Sequence, residues 1–255
     1  MSNDTVSKTF LVAFLLCVVC AVVVSTSAVK LRPVQQINQA LDKKSNILSA
    51  AGLLEEGVDV DRVYRDSIES RIVELDTGEY AAGVNAETFD QRKAARDPAR
   101  SIEIDEDLAG IGRRSRQASV YLVKNGDKVA RLILPVHGKG LWSTLYGFLA
   151  LDMDMNTIEA LSFYQHAETP GLGGEVDNPK WKALWKGKKA YGEDGQARIE
   201  VIKGKVDGSA ASAIHQVDGL SGATITSRGV RNLLRYWLSE NGFGRYLARV
   251  RREGV

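Results

Sequence analysis

Residues 218–224, with the sequence Asp-Gly-Leu-Ser-Gly-Ala-Thr, place a threonine hydroxyl among small neighbours on a flexible backbone. The two glycines of this segment permit positive φ angles and close approach of the backbone to a ligand. Small Ser221 and Ala223 leave the hydroxyl of Thr224 uncrowded. The pattern predicts either that the backbone and the Thr224 hydroxyl approach a ligand closely or that the segment is an ordinary glycine-rich loop that caps a helix, because short glycine-rich matches discriminate weakly.

A helix is expected directly after this segment. Thr226 and Ser227 are suitable N-cap residues. The apolar stripe that follows at helical spacing is Val230, Leu233, Leu234, Trp237 and Leu238. The spacing predicts a helix over 227–240 whose stripe faces the protein core. A phosphate held just before this helix would meet unpaired backbone N–H groups and the positive end of the helix dipole.

A second segment suited to binding covers 165–174, with the sequence Gln-His-Ala-Glu-Thr-Pro-Gly-Leu-Gly-Gly. Its proline and glycines predict a sharp loop with exposed peptide groups, against which an aromatic ring could lie with Leu172 on one face. His166 and Glu168 could instead serve a metal or acid–base site. The histidines of the chain are His137, His166 and His215. They lack metal-ligand spacing, so no metal site is predicted.

The elements that must position these segments follow an α+β pattern. Asn125-Gly126 between two apolar runs is a strong hairpin signal. Strands are predicted at 71–75, 119–123, 129–134, 145–153, 158–165 and 198–202. Shorter helices are predicted at 61–70 and 178–186. Residues 82–117 are charged and lack periodicity, which predicts a long surface excursion. The expected fold is a domain built on an antiparallel sheet with flanking helices.

The N-terminal part of the chain predicts a membrane segment. After a short tail at 1–9, residues 10–29 are apolar or uncharged and long enough to cross a bilayer. A permanent anchor is favoured over a cleaved signal peptide, because the apolar run exceeds a usual signal core and a helical pattern continues beyond it. Lys8 lies on one side of this segment, and Lys30 and Arg32 lie on the other. The positive-inside rule would therefore put the domain at 30–255 in the cytoplasm.

Cys17 and Cys20 are the only cysteines, and both lie within the apolar segment. On a helix that faces lipid they are expected to behave as small hydrophobic residues. Contact with a cofactor held by a partner protein is the alternative. The rest of the chain can have no disulfide and no thiolate chemistry of its own.

Composition describes an ordinary globular protein. The 255 residues are 44% hydrophobic and 26% charged, with a formal net charge of +2. A charge this close to balance gives no electrostatic case for nucleic acid as a partner. No strand-Gly-x-Gly-x-x-Gly-helix unit occurs, which argues against a nicotinamide-binding Rossmann domain.

Taken together, the motifs resemble a known family. An N-terminal span, His-x-Glu-Thr-Pro-Gly-Leu-Gly at 166–173 and Asp-x-x-Ser-Gly-Ala-Thr at 218–224 occur in the order typical of the NqrC family, a component of the Na⁺-translocating NADH:quinone oxidoreductases. Residues 138–143 and 146–147 also look like this family. The RnfG component of the Rnf ion-pumping complex shares the FMN-binding domain and is the nearest alternative. The Leu-Arg-Pro-Val-Gln-Gln run after the span favours the NqrC family.

The resemblance implies a set of cofactor-binding residues. FMN would be bound covalently through a phosphoester on Thr224, attached by a flavin transferase. Asp218 would orient the loop for that enzyme or coordinate its metal. The phosphate pocket would be shaped by Ser221, Gly222 and Ala223. The isoalloxazine ring would be contacted by Thr169, Gly171 and Leu172, and by Trp142 and Ser143. Lys203 would pair with the phosphate or the ribityl hydroxyls; its alternative is a solvated lysine.

The resemblance also implies a function and a location. The chain would be a single-pass electron-transfer component of a six-subunit sodium pump in the bacterial inner membrane, with its soluble domain in the periplasm. It would not complete NADH oxidation alone. Two other classes remain open: a periplasmic binding or assembly module in which Thr224 is never modified, and a secreted hydrolase. The hydrolase would use Ser221 or Ser227 with His166 or His215, but no Gly-x-Ser-x-Gly motif is present.

Overall fold

The computed structural model describes residues 5–126 and 128–255, and it divides the chain into two compact units. The first unit extends to Lys44, and the second is Ser45–Val255. The helix α1, Val6–Ala51, runs through the first unit and into the second, with Pro33 inside it. The predicted boundary at residue 30 therefore falls within a continuous helix.

The apolar part of α1 is long and apolar enough to cross a membrane. Its most apolar window has a mean hydropathy of 2.7, and none of that window is buried. Cys17 and Cys20 are both exposed on this helix. These properties agree with the predicted membrane segment at 10–29, whose exact limits stay a prediction.

The second unit is built on an antiparallel sheet. Its strands are β1 Ile68–Glu74, β2 Ser101–Glu103, β3 Arg113–Ser115, β4 Gln117–Asn125, β5 Lys128–Lys139, β6 Thr144–Asp152, β7 Ile158–Gln165, β8 Glu200–Val201 and β9 Gln216–Val217. The remaining helices are α2 Val60–Ser67, α3 Gln91–Arg96, α4 Pro179–Ala183, α5 Thr224–Leu238 and α6 Gly244–Glu253. The main sheet has the order β1-β4-β5-β6-β7. The predicted hairpin is confirmed, since β4 pairs with β5 and Asn125 faces Lys128.

Both faces of the sheet are buried. Successive side chains of each strand point to opposite faces, so each strand contributes to two cores. Leu132, Leu134 and Val136 of β5 belong to the larger core, which also contains the apolar stripe of α5. Ile133 points to the other face and packs with the last residues of α1. The predicted helix stripe is thus confirmed as core, and the fold class is confirmed as α+β.

Residues 82–117 are not only a surface excursion, as was predicted, because they also form regular secondary structure. This segment contains α3 and the two-stranded β2–β3 sheet, and it buries side chains. Phe89 and Ala94 pack with Ile72 in a small cluster of their own. Arg114 is only 3% exposed, and its Nη2 lies 2.6 Å from Asp76 Oδ1. Elements this short leave no periodic signal in the sequence, which is why the segment resembled a surface loop.

Candidate functional site

A buried carboxylate joins two loops at one end of the sheet, the β5–β6 turn and the loop after β7. Glu168 lies in the loop after β7 and is 5% exposed. It accepts backbone hydrogen bonds from the turn between β5 and β6, from Trp142 N at 2.9 Å and from Leu141 N and Ser143 N at 3.2 Å. In return, Ser143 Oγ accepts a 2.7 Å hydrogen bond from Ala167 N. The two loops are therefore held in one fixed arrangement.

The same carboxylate holds α5. The Thr226 hydroxyl, which is fully buried, donates a 2.6 Å hydrogen bond to Glu168 Oε2. Two glycines make room for this contact. A Cβ on Gly140 would lie 2.6 Å from Glu168 Oε1, and a Cβ on Gly173 would lie 2.7 Å from Oε2. Glu168 thus connects three separate segments: the β5–β6 turn, the loop after β7 and the first turn of α5.

These hydrogen bonds keep Glu168 charged. Burial by itself would raise its pKa, because a low-dielectric setting disfavours the carboxylate. The hydrogen bonds from Thr226 and from the N–H groups of Trp142, Ser143 and Leu141 outweigh burial and hold the pKa of Glu168 below its usual value. The result is a fixed negative charge whose oxygens are all engaged within the protein.

The helix α5 begins at Thr224, three residues earlier than predicted. Its N-cap is Ala223, which makes no side-chain capping bond. The expected N-cap residues Thr226 and Ser227 are instead buried inside the helix. Their hydroxyls serve the loops, since Ser227 Oγ accepts a 3.0 Å hydrogen bond from Leu220 N. The N-cap prediction was wrong because a buried hydroxyl with a tertiary partner looks the same in sequence as a capping one.

Thr224 itself is exposed at the start of this helix. Within the described part of the chain, its hydroxyl has no hydrogen-bond partner. The backbone N–H groups of Thr224, Ile225 and Thr226 likewise have no acceptor among the described residues. A hydroxyl beside three free N–H donors at the positive end of a helix is suited to hold an anion.

The segment before Thr224 adjoins the loop after β7. Ser221 and Gly222 are exposed, whereas Ala223 is buried. Gly222 has φ of 71°, and a Cβ at this position would lie 2.9 Å from Leu172 Cδ2. The structure therefore brings the predicted phosphate segment and the predicted ring-binding loop into contact.

Several large apolar side chains on these segments remain in solvent. The exposed fractions are 40% for Leu141, 66% for Trp142, 44% for Leu172 and 53% for Ile225. Thr169 and Gly171 are also exposed on the same loop as Leu172, and Gly171 has φ of 75°. Exposed apolar groups beside a helix end that is suited to hold an anion would match a ligand with an aromatic ring and a phosphate.

Asp218 and Lys203 occupy different surroundings. Asp218 Oδ1 accepts a 2.8 Å hydrogen bond from Val206 N, and its carbonyl accepts one of 2.9 Å from Trp181 Nε1. These bonds fix the start of the 218–224 segment. Lys203 is exposed on the turn after β8, with no hydrogen bond or ion pair in the ranges that the structure describes. No hydrogen bond joins Lys203 to Thr224 among the residues that the structure describes.

The predicted histidines are dispersed. His166 Nε2 lies 2.8 Å from Asp177 Oδ2, and His215 Nδ1 lies 2.8 Å from the carbonyl of Lys189. Among the described residues, no group of three or more His, Cys, Asp and Glu side chains could hold a metal. Sequence reasoning missed the structural role of Glu168, for which it raised only metal or acid–base chemistry as an alternative. Its position three residues before a glycine-rich turn was the only available signal.

The fold and these loops define a class of protein. The family described as FMN-binding domain matches residues 140–239. This range begins in the β5–β6 turn and ends after α5, so it contains the three segments that Glu168 joins. The matched region is therefore the part of the chain that forms the candidate site.

Relatives over the full length define the family further. The C component of the Na⁺-translocating NADH-quinone reductase of Pseudomonas aeruginosa is 49% identical, with 98% of each chain covered. The equivalent protein of Vibrio vulnificus is 48% identical over 100% of this chain and 99% of its own. The chain belongs to this family, the NqrC proteins of the Na⁺-translocating NADH-quinone reductases, and the predicted resemblance is confirmed.

Solved structures agree with this assignment. The crystal structure of Shewanella oneidensis NqrC has a TM-score of 0.79 and 34% sequence identity, and covers 85% of this chain and 100% of its own. The corresponding protein from Parabacteroides distasonis has a TM-score of 0.67 and 30% identity, covering 85% of this chain and 96% of its own. The antiparallel sheet with its helices is thus the fold of this family.

Proposed function

We propose that this chain is the membrane-anchored electron carrier of a six-subunit Na⁺-translocating NADH:quinone reductase, with FMN attached through a phosphoester on Thr224. The observation that carries the proposal is the exposed Thr224 hydroxyl at the start of α5, beside free backbone N–H groups. It lies within the segment that matches the FMN-binding domain family. Partner subunits would oxidise NADH, reduce quinone and move sodium.

The arrangement of the loops supports a model in which different loops bind different parts of FMN. Ser221, Gly222 and Ala223 would surround the phosphate, since they form the three residues immediately before Thr224. Thr169, Gly171 and Leu172 would contact the isoalloxazine, because Leu172 abuts the Gly222 backbone. Trp142 and Ser143 would complete the ring site from the β5–β6 turn, which Glu168 fixes against the other loop. FMN, when bound, supplies one- and two-electron chemistry, and the protein supplies position and electrostatics.

Attachment requires an enzyme and an activated flavin. A flavin transferase would use a donor in which the flavin phosphate is joined through a pyrophosphate to a nucleotide. A bond would form between Thr224 Oγ1 and the flavin phosphorus, the pyrophosphate bond would break, and the hydroxyl proton would pass to a base of the transferase. The nucleoside monophosphate would leave, carrying the bridging oxygen of the pyrophosphate. Asp218, fixed by Val206 N and Trp181 Nε1, would present the segment to the transferase.

The membrane arrangement is a part of the same proposal. Residues 10–29 of α1 would span the bacterial inner membrane once, and the domain would lie in the periplasm. The charges around the span do not decide the orientation. Fusion of a reporter that is active only in the periplasm to the C-terminus tests it. High reporter activity is expected, and activity only with a cytoplasmic reporter would overturn the periplasmic placement.

The decisive experiment measures flavin fluorescence of the denatured chain on a gel. Wild type, Thr224→Ala, Thr224→Ser and Ser221→Ala are each co-expressed with a flavin transferase. Fluorescence is expected in wild type and Ser221→Ala, is expected to vanish in Thr224→Ala, and is retained at a reduced level in Thr224→Ser. A dark wild-type band, with the transferase active on a control substrate, would instead favour an unmodified binding or assembly module.

A further inference from the structure

The N-terminus of α5 lacks the negative charge that helix starts usually carry. Two other helices of the domain are capped by aspartate side chains, α2 by Asp59 and α3 by Asp90. The helix α5 begins at Ala223 with no side-chain cap, and its first turn contains no acidic residue. Because the helix dipole places partial positive charge at this end, an anion here would stabilise the helix.

The second turn of α5 adds a positive charge instead. Arg228 is exposed, and it has no hydrogen bond or ion pair within 5–126 and 128–255. By contrast, Arg231 and Arg235 on the same helix lie near Glu200. A cation close to the positive end of a helix is unfavourable unless an anion is present. Such a local inconsistency is typical of a functional position.

Thr224 and Arg228 are separated by one helical turn. Both lie in α5 at positions i and i+4, and both are exposed, so they share the solvent face of the helix. Helical side chains lean toward the N-terminus. An arginine at position 228 can therefore extend over the turn that contains Thr224, and its length allows the guanidinium to reach a group attached to the Thr224 oxygen.

We propose that Arg228 binds the phosphodiester that links FMN to Thr224, and that the phosphodiester in turn supplies the missing anion at the start of α5. This inference rests on the proposed attachment. A phosphodiester carries one negative charge, and guanidinium groups bind its oxygens with two parallel hydrogen bonds. Lys203 is the competing cation, because it is also exposed and without a partner among the described residues.

The test compares full-length chains in detergent, co-expressed with a flavin transferase. Arg228→Gln and Lys203→Gln are made in wild type and in Thr224→Ala, which carries no phosphodiester. Arg65→Gln is the matched control, since Arg65 is exposed on α2, which packs on the opposite face of the sheet. The readouts are the ³¹P resonance of the phosphodiester, the melting temperature and in-gel flavin fluorescence.

In the flavin-bearing chain, Arg228→Gln is expected to move the ³¹P resonance and to lower Tm by about 2 °C. In Thr224→Ala the same change is expected to leave Tm unchanged or raise it slightly, because an unpaired cation is removed from the helix start. The difference should disappear near 1 M salt, where exposed charges are screened. Arg65→Gln should leave the ³¹P resonance in place and should change Tm by the same small amount in both backgrounds, because Arg65 lies in the last turn of α2 and interacts with the dipole of that helix alone.

Three results would overturn the inference. The first is an equal Tm change in both backgrounds with an unmoved ³¹P resonance, although the wild-type band fluoresces. The second is a Tm change that depends on the phosphodiester for Lys203→Gln but not for Arg228→Gln. The third is a dark wild-type band, which defeats the proposed attachment and this inference together. If Arg228→Gln lowers the fluorescence of the band, the flavin-bearing fraction is purified first. Its ³¹P resonance and Tm are then compared with those of wild type in the same way.

Discussion

The Thr226 hydroxyl donates a 2.6 Å hydrogen bond to Glu168 Oε2 and so connects α5 to the loop after β7. Both side chains are buried, Thr226 completely and Glu168 to within 5% exposure. Hydrogen bonds to a charged partner contribute about 1.5–3 kcal/mol. Only Ile225 separates Thr226 from Thr224 in the chain, so this bond sets where the proposed attachment point lies relative to the ring-binding loops.

Glu168→Ala is expected to lower the free energy of unfolding by about 3 kcal/mol, because it leaves the buried Thr226 hydroxyl and three N–H groups of the β5–β6 turn without an acceptor. Glu168→Gln should cost less, since its amide oxygen can still accept from Trp142 N and Ser143 N. Urea denaturation measures both. A double-mutant cycle with Thr226→Val isolates the 2.6 Å bond.

Thr169→Ala serves as the control for this series. Thr169 is adjacent in sequence but exposed, so a change below about 0.5 kcal/mol is expected. If Glu168→Ala were as mild as Thr169→Ala, the carboxylate would not be what joins the three segments.

Gly229 provides a second test of how α5 is positioned. A Cβ at this residue would lie 2.4 Å from the carbonyl oxygen of Lys139, so only glycine allows the helix to contact the end of β5. Replacing a helix-interior glycine by alanine ordinarily stabilises by about 1 kcal/mol. Here Gly229→Ala is expected to destabilise by about 2 kcal/mol, since overpacking forces the backbones apart.

Gly208→Ala is the matched comparison in this pair. A Cβ on Gly208 would meet no atom within 4 Å, and its φ is not positive. We expect this change to be neutral or slightly stabilising in the same urea titration. A neutral Gly229→Ala would show that α5 tolerates displacement from β5.

The sheet was predictable from sequence because its signals are local. Asn125-Gly126 marks the β4–β5 turn, and apolar runs of strand length surround it. The hairpin follows from that turn, but its register does not, because Asn125 pairs with Lys128 instead of occupying a central turn position. Predictions of this kind need only the residues within one hairpin, so they do not depend on knowing the tertiary structure.

The beginning of α5 was not predictable for the opposite reason. Thr226 and Ser227 have the composition of an N-cap, but their hydroxyls bind Glu168 and Leu220 N, in a geometry that only the folded chain creates. The central role of Glu168 has the same origin. Its partners at 141–143 lie far away in sequence and are joined to it only by the fold.

His137 predicts a pH dependence of stability. Burial, followed by the charge of Arg92, lowers the pKa of His137 to about 4, against 6.5 for an ordinary histidine. Above pH 6.5 the ring is neutral in both folded and unfolded chains, and its contribution to stability is complete. As the pH falls from 6.5 toward 4, only the unfolded chain takes up the proton, so stability is lost.

The expected loss between about pH 7.5 and pH 5 is about 2 kcal/mol, since one pKa unit corresponds to about 1.4 kcal/mol. His137→Gln should remove this slope while lowering stability at the higher pH, because the imidazole packs against Trp237 with ring centroids 4.9 Å apart. Urea titrations at both pH values measure the difference. A slope that is the same in wild type and His137→Gln would assign the dependence to other groups.

Trp142 tests where the flavin ring lies. Its indole is 66% exposed, whereas Trp181, Trp185 and Trp237 are buried. Aromatic rings at this position would stack on a planar ligand, and a stacked indole quenches flavin emission. We expect Trp142→Ala to raise the flavin fluorescence of the native protein severalfold and to leave that of the denatured chain unchanged, with the free energy of unfolding within about 0.5 kcal/mol of wild type. Leu141→Ala is the matched control, because Leu141 is the exposed neighbour on the same turn but has no ring to quench the emission. Equal emission from native wild type and Trp142→Ala would place the isoalloxazine away from the β5–β6 turn, and would leave Leu172 and its loop to hold the ring.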